Sequence, residues 1–428
     1  MVHLQKYFQE KNGVLYIEDV SSLELIKEFG SPLYVTSKKT LELNVDSYVN
    51  AFSNANFKVK FLYAVKANNN LTIMKLLKNR GFGADVFSDG ELYLALIAGF
   101  ERKYILFNGN SKSEEEIRMG IEAKVPFSVD SLDELKTISS IASEIGEEVK
   151  IAFRINPDIK PETHPKIATG LKTSKFGIPW KEVINAYKEA IKSPNIVVSG
   201  IHCHIGSQII EIVPFVEALN RVFDVALEVE KLGVELQFLD IGGGLGIDYE
   251  GKGAPTPDDF ANELIPVFEE RSAELNSNPE LWIEPGRSIV GNTTILLTKV
   301  NAVKKAYRNF VAVDAGFNLL LRPAMYGAYH RVVVANKMNE EAKEVYTIVG
   351  PICESGDILA EDRLLPKVEK GDIIAIFDTG AYGFSMSSQY NGRRRCAEVL
   401  VDGGRTYLIR ERESYSDIVG KQIIPPNF

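Results

Sequence analysis

Three cysteines in 428 residues, Cys203, Cys353 and Cys396, are too few and too widely spaced for a disulfide framework. They show no metal-ligand spacing either, so no structural zinc is expected and a reducing, cytoplasmic setting is. Long apolar runs are missing too. No uninterrupted stretch approaches the ~18 residues of a membrane span. The first ten residues, with Lys6, Gln9 and Glu10, lack the apolar core of a secretory leader. Positive charge is not in excess: 49 Lys and Arg against 58 Asp and Glu give a net charge of −9, which argues against a nucleic-acid partner. Gly242-Gly243-Gly244 has no Gly-Lys-Ser/Thr behind it, which excludes a Walker-type nucleotide loop. The rest, 45% hydrophobic and 25% charged, is an ordinary globular balance at a length comfortable for two domains.

Between residues 59 and 283 short apolar runs alternate with helix-like spacing. The runs fall at 59–65, 84–87, 104–107, 126–129, 149–155, 197–202, 237–241 and 281–283. Helical periods fill 71–78, 114–123, 132–145, 180–191 and 214–232. Eight strand candidates interleaved with helices predict a (β/α)8 barrel of the TIM type over 37–291; an open, doubly wound sheet is the alternative. Beyond residue 291 the texture changes to β-branched and aromatic runs at 294–300, 310–313, 331–335, 345–349, 373–377, 396–401 and 406–409. This predicts a second, all-β domain, sandwich- or barrel-like, built from 292–428 together with 1–36, whose strand candidates have no barrel partner.

Polar residues and glycines collect where the barrel strands end, which is where barrel enzymes keep their sites. The stretch Phe61-Leu62-Tyr63-Ala64-Val65-Lys66 stands out. A buried strand that ends on a lysine strips hydration from an amine unless something compensates, and a desolvated neutral amine attacks carbonyls. The alternative is a lysine snorkelling out of the strand end. Glu284 follows the last strand candidate, where an unpaired buried carboxylate is costly; a salt bridge to Arg287 competes with a functional role. Cys353-Glu354 follows a strand of the second domain. A cysteine flanked by carboxylates is a poor nucleophile and a serviceable proton donor.

Five motifs occur in a fixed order: Tyr63-Ala64-Val65-Lys66-Ala67-Asn68, His202-Cys203-His204-Ile205-Gly206-Ser207-Gln208, Ile241-Gly242-Gly243-Gly244, Glu284-Pro285-Gly286-Arg287 and Cys353-Glu354-Ser355-Gly356-Asp357. Together they closely resemble the barrel-type (fold type III) pyridoxal 5′-phosphate-dependent decarboxylases, over nearly the whole chain, and within that group the branch acting on meso-2,6-diaminopimelate. The resemblance implies that Lys66 carries the cofactor covalently and that Asp85 stands near it, a helix N-cap role being the competing reading for Asp85. It implies that His204 stacks on the cofactor ring while His202 orders the strand end. Ser207, Gly242, Gly243 and Gly244 would hold the phosphate, with Gly286 and Arg287 beside them, and Glu284 would hold the pyridine nitrogen.

By the same resemblance Cys353 and Glu354 come from the neighbouring subunit of a homodimer with shared sites. Cys353 returns a proton, and Glu354 binds the substrate's distal ammonium. Arg287, Arg322 and Tyr326 would grip the distal carboxylate, and Tyr382 would touch cofactor and substrate. The implied reaction is decarboxylation of diaminopimelate to L-lysine and CO2. Ornithine, arginine or carboxynorspermidine decarboxylation is the runner-up, ahead of a barrel-type racemase or a non-catalytic cofactor-binding homologue. Residues 169–177 resemble the family's mobile loop, a candidate lid. Two departures stand out: Phe317-Asn318-Leu319-Leu320, where the family more often has Met-Asn-Asp-Leu, and the basic run Arg393-Arg394-Arg395.

Overall fold

The computed structural model of the protein describes residues 5–160, 169–170 and 174–428. The chain divides into two compact units. One runs to Asn44 and takes in Asp248–Gly253 and Ile289–Phe428; the other is Val45–Ile247 with Ala254–Ser288.

The second unit is a closed barrel. Its strands are β1 (Val59–Ala64), β2 (Gly83–Val86), β3 (Ile105–Phe107), β4 (Phe127–Val129), β5 (Val149–Asn156), β6 (Ile196–Cys203), β7 (Phe238–Asp240) and β8 (Glu280–Ile283). Each pairs in parallel with the next, and β8 returns to β1 through Leu281 opposite Val59. That last pairing removes both sheet edges and excludes the open-sheet alternative. Helices α1 (Leu71–Asn79), α2 (Asp89–Ala98), α3 (Glu114–Glu122), α4 (Leu132–Ile145), α5 (Val183–Lys192), α6 (Val213–Glu230) and α7 (Pro257–Ser272) fill the crossovers. Local chemistry starts several of them. The Ser88, Ser113, Ser131 and Thr256 side chains each accept the first free amides, and Ser113 with Glu116 and Thr256 with Asp259 form reciprocal capping boxes.

The first strand ends earlier than its apolar run. β1 stops at Ala64, and Val65–Ala67 form a 3₁₀ turn with Lys66 at its centre. Asn70 already caps α1 by accepting from the Thr72 amide, so the chain must turn from strand to helix within a few residues. Inside the barrel the Phe238 and Trp282 rings stack at 3.7 Å, packed with Leu62, Leu106 and Ala152. Gly200 on β6 makes the space, since a Cβ there would sit 2.5 Å from the Phe238 ring. The barrel is a packed core, not a pore.

The other unit is built on the long strand Thr294–Lys305. It pairs antiparallel with Leu33–Ser37, Asn309–Val313 and Ile373–Ile376, and Leu33–Ser37 also runs parallel to Ala397–Asp402. Leu33–Ser37 thus lies within this sheet, between Thr294–Lys305 and Ala397–Asp402. Leu296 and Val300 join one core with Tyr34, Ile348 and Ile374, while Ile295 and Leu297 join another with Leu33, Val35 and Val399. Both faces are covered, which explains an uninterrupted apolar run where a half-exposed strand would alternate. Ile358–Leu365, pairing with Glu344–Val349, was not expected, because Glu361, Asp362 and Arg363 break its apolar pattern. Among the described residues no helix is long and apolar enough to cross a membrane.

Candidate active site

Every polar group of the barrel site enters from the C-terminal end of a strand. Lys66, its side chain about one-third exposed, forms an ion pair with Asp85, which is fully buried on β2. The nitrogen thus rests against a negative group of the kind a desolvated amine at a strand end requires. The Asp85 Oδ1 also accepts from Asn108 Nδ2 at 2.6 Å, and the same nitrogen donates to Glu284 Oε1 at 2.8 Å. One amide after β3 thus bridges a carboxyl on β2 and one after β8. The helix-cap role considered for Asp85 falls to Ser88. Burial pushes the Asp85 carboxyl above its ordinary range and nearby Glu284 adds to this, while Lys66 and Asn108 oppose it.

Glu284 faces a second group of partners. The ligating atoms of His202, Asp240 and Glu284 lie within 4.8 Å of one another, all buried. His202 shares a 2.7 Å hydrogen bond with Ser128 Oγ through Nδ1 and holds Nε2 3.6 Å from Glu284 Oε2. Asp240 accepts the Gly242 amide at 2.7 Å. Burial raises both the Asp240 and Glu284 carboxyls, and the neighbouring Glu284 adds to the rise at Asp240, while Lys66 and Asn108 oppose it at Glu284. The His202 pKa is driven well below the usual value by burial and then by Arg154, leaving a neutral ring. His202 therefore does more than order a strand end; it reaches the carboxylate at the heart of the site.

His204 accepts the Gly243 amide at Nδ1, 3.1 Å away, which assigns its proton to Nε2 and fixes the ring. Burial, Arg154 and Lys66 lower its pKa well below the usual value. A Cβ on Gly243 would sit 2.0 Å from the Glu284 carbonyl oxygen, and one on Gly242 would come within 2.7 Å of His204 Nδ1. The loops after β6, β7 and β8 pack backbone against backbone, so the triple glycine has a packing cause of its own. Arg287 donates to Ser207 Oγ at 2.9 Å, and Gly286 lies against Ala64 and Ala67, where a Cβ would meet side-chain carbons at 2.9 and 3.2 Å.

Sequence reasoning missed three members of this network. Asn108 was visible only as a polar residue at a strand end. Asp240 hid inside the apolar run 237–241. Arg154, buried at the end of β5, stacks 4.4 Å from the Phe176 ring, and only its position at a strand end could have marked it. Of the candidate lid, Leu171, Lys172 and Thr173 lie outside the described residues; Thr169 Oγ1 donates to the His204 carbonyl at 2.9 Å.

The sheet unit carries the remaining candidates. Cys353 is exposed, and Glu354 Oε1 accepts from Tyr390 Oη at 2.7 Å. Arg322 is buried, donates to His330 Nε2 at 2.8 Å and lies 4.6 Å over the Tyr249 ring. Tyr326 closes the same short helix, Arg322–Tyr326, half-buried. Tyr382 is held at φ +58°, a left-handed conformation rare for an aromatic residue.

A pyridine aldehyde bearing a phosphate needs a primary amine, a carboxyl group in dry surroundings and a cradle without side chains. Lys66, the Glu284 cluster and the Gly242-Gly243-Gly244 loop supply these. Two buried atoms of that cluster, His202 Nε2 and Asp240 Oδ2, have no hydrogen-bond partner among the described residues, as expected of a site built to receive a polar ring. The donor set fits the cofactor.

Residues 39–291 match the family model described as pyridoxal-dependent decarboxylase, pyridoxal binding domain. A diaminopimelate decarboxylase of Archaeoglobus fulgidus is 66% identical over 418 residues, 98% of this chain and 99% of that protein. The crystal structure of the M. jannaschii diaminopimelate decarboxylase in co-complex with L-lysine superposes with a TM-score of 0.93 at 43% identity, covering 99% of both chains. That of Helicobacter pylori diaminopimelate decarboxylase, also complexed with L-lysine, gives 0.87 at 38% identity, covering 93% of this chain and 98% of that one. Matched along nearly its full length in sequence and in fold, this chain belongs to the diaminopimelate decarboxylase family of fold type III pyridoxal-dependent decarboxylases.

Proposed function

We propose that the protein decarboxylates meso-2,6-diaminopimelate to L-lysine and CO2 with pyridoxal 5′-phosphate as cofactor, a step of lysine biosynthesis. The observation that carries this is the buried Asp85–Asn108–Glu284 bridge beside Lys66, in a chain that aligns end to end with lysine-complexed relatives.

Lys66 would hold the cofactor covalently, with Asp85 taking up the amine's charge. Ser207, Gly242, Gly243, Gly244, Gly286 and Arg287 would hold its phosphate side, His204 its ring, and Tyr382 both cofactor and substrate. When bound, the cofactor supplies an electron-withdrawing ring that accepts the charge left by the departing α-carboxylate. Glu284, with His202, Asp240 and Asn108 around it, would present a buried carboxyl to the ring nitrogen. Loss of CO2 leaves an electron pair at the α-carbon, and Cys353 returns the proton there. At the other end of the substrate, Glu354 would meet the ammonium while Arg287, Arg322 and Tyr326 meet the carboxylate. Ornithine lacks that carboxylate and would forgo its contacts with the arginines, a discrimination on the order of 10⁴-fold.

We infer a homodimer in which Cys353 and Glu354 serve the partner's barrel; supporting this is their placement on an exposed turn. The test is side-by-side turnover of diaminopimelate and ornithine by the cofactor-loaded protein. Diaminopimelate should be preferred by at least about a thousandfold in kcat/KM. Preference for ornithine overturns the substrate assignment.

A further inference from the structure

The turn that bears Cys353 and Glu354 is gripped by two consecutive residues to which no role has yet been given, Tyr390 and Asn391. The Asn391 side chain uses both ends on one residue. Its Oδ1 accepts the Cys353 backbone amide at 2.9 Å, and its Nδ2 donates to Cys353 Sγ at 3.1 Å. The amide orientation is fixed by chemistry, because the opposite assignment would set an NH2 group against a backbone N–H. Tyr390 Oη donates to Glu354 Oε1 at 2.7 Å and lies 3.9 Å from the same sulfur. Its ring is stacked at 5.9 Å and 11° on Phe317, one of the residues at which the chain departs from its family's usual pattern. Asn391 itself sits at φ +58°, in the left-handed region. A side chain with a specific task, mounted on a backbone conformation that costs free energy, is the pattern of a functional position.

We propose that Asn391 is the positioning residue for the Cys353 thiol, with Tyr390 doing the same for Glu354. This rests on the reading of Cys353 as the group that returns a proton to the α-carbon. Two consequences follow from the geometry. The sulfur is an acceptor toward Asn391, so the S–H hydrogen must point away from the amide. Once the proton has left, the N–H···S contact becomes a charge-assisted hydrogen bond to a thiolate, so the donor's product state is stabilised without any rearrangement. Tyr390 is suited to its task because Glu354 and Cys353 push its phenol up to about 12, keeping the hydroxyl a donor over the working pH range.

Cys353 can be read separately from the other two thiols, because Cys203 and Cys396 are fully buried. The test is the pH profile of iodoacetamide alkylation at the Cys353 peptide in the whole cofactor-loaded enzyme, for wild type, Asn391→Gly and Asn391→Asp. Glycine accepts the left-handed backbone without strain, so that variant folds and simply deletes the amide. Aspartate keeps the acceptor to the Cys353 amide but replaces the N–H donor by a negative charge. Both profiles should move to higher pH, Asn391→Asp by about one unit or more, with alkylation at pH 7.5 slowed roughly tenfold. kcat should fall by about 10–100-fold while KM changes by less than about threefold, as expected for a proton-transfer step. Wild-type alkylation profiles in both variants overturn the proposal. The parent reading fails by a different result, full activity in Cys353→Ala, and the alkylation profiles still decide whether Asn391 poises the sulfur.

Discussion

Asn108 is a neutral amide between two acids, and that is its value. It gives Asp85 and Glu284 a donor each can use without charge, holding Lys66's partner and the Glu284 carboxyl in one frame. Asn108→Leu should leave both buried carboxyls short of a donor and cost about 1–3 kcal/mol of stability. Cofactor affinity, followed by absorbance titration, should drop at least about tenfold; unchanged affinity and melting temperature would make the bridge incidental. Glu91 gives a pH test at the same scale. Burial raises its carboxyl to about 7, against the pull of Lys66. The folded state therefore holds this proton longer than the unfolded chain does. Its stabilisation is complete below about 4.5 and is lost as pH rises toward 7. In Glu91→Gln that part of the slope should vanish, so scanning melts of the cofactor-free protein from pH 4.5 to 7.5 should show the variant gaining on wild type as pH rises. Parallel curves would contradict this. Lys66, Glu284 and the glycines could be picked out from the chain because each sits in a motif. Asn108, Asp240 and Arg154 could not, since their meaning lies in the closure of the barrel, which brings the ends of β2, β3, β5, β7 and β8 together across long stretches of chain.

At the level of elements, the loop after β7 decides how close its neighbours can stand. Gly243 lets the Glu284 carbonyl approach to where a Cβ would be. Gly243→Ala should force the β7 and β8 loops apart, lowering stability by about 1–3 kcal/mol and shifting Glu284 from its cluster. Reduced cofactor affinity with retained barrel circular dichroism is the expected combination, and a wild-type melting temperature and affinity would refute it. The strands of the barrel were legible because burial on both faces leaves short unbroken apolar runs, each closed by a polar or glycine residue. What was not legible follows equally from physics. Ile358–Leu365 is half-exposed and charged in its middle, and Lys66 rides a 3₁₀ turn because Asn70 begins the next helix so soon.

For the whole molecule, the assignment of the proton donor to one subunit and the lysine to another makes a sharp demand. Lys66→Ala and Cys353→Ala homodimers should each be inactive. Mixed and re-equilibrated, they should recover up to about a quarter of wild-type activity, because half of the random dimers are mixed and each of those has one intact site. No recovery, with subunit exchange confirmed by mass, would place both residues in one chain's site.

The most direct measurement is the product balance from meso-2,6-diaminopimelate with the purified, cofactor-loaded protein. One CO2 and one L-lysine should appear for each substrate consumed, and Lys66→Ala should give neither above the uncatalysed background. Lysine formation that persists at full rate without Lys66, or consumption of diaminopimelate without CO2, would contradict the reading of the site.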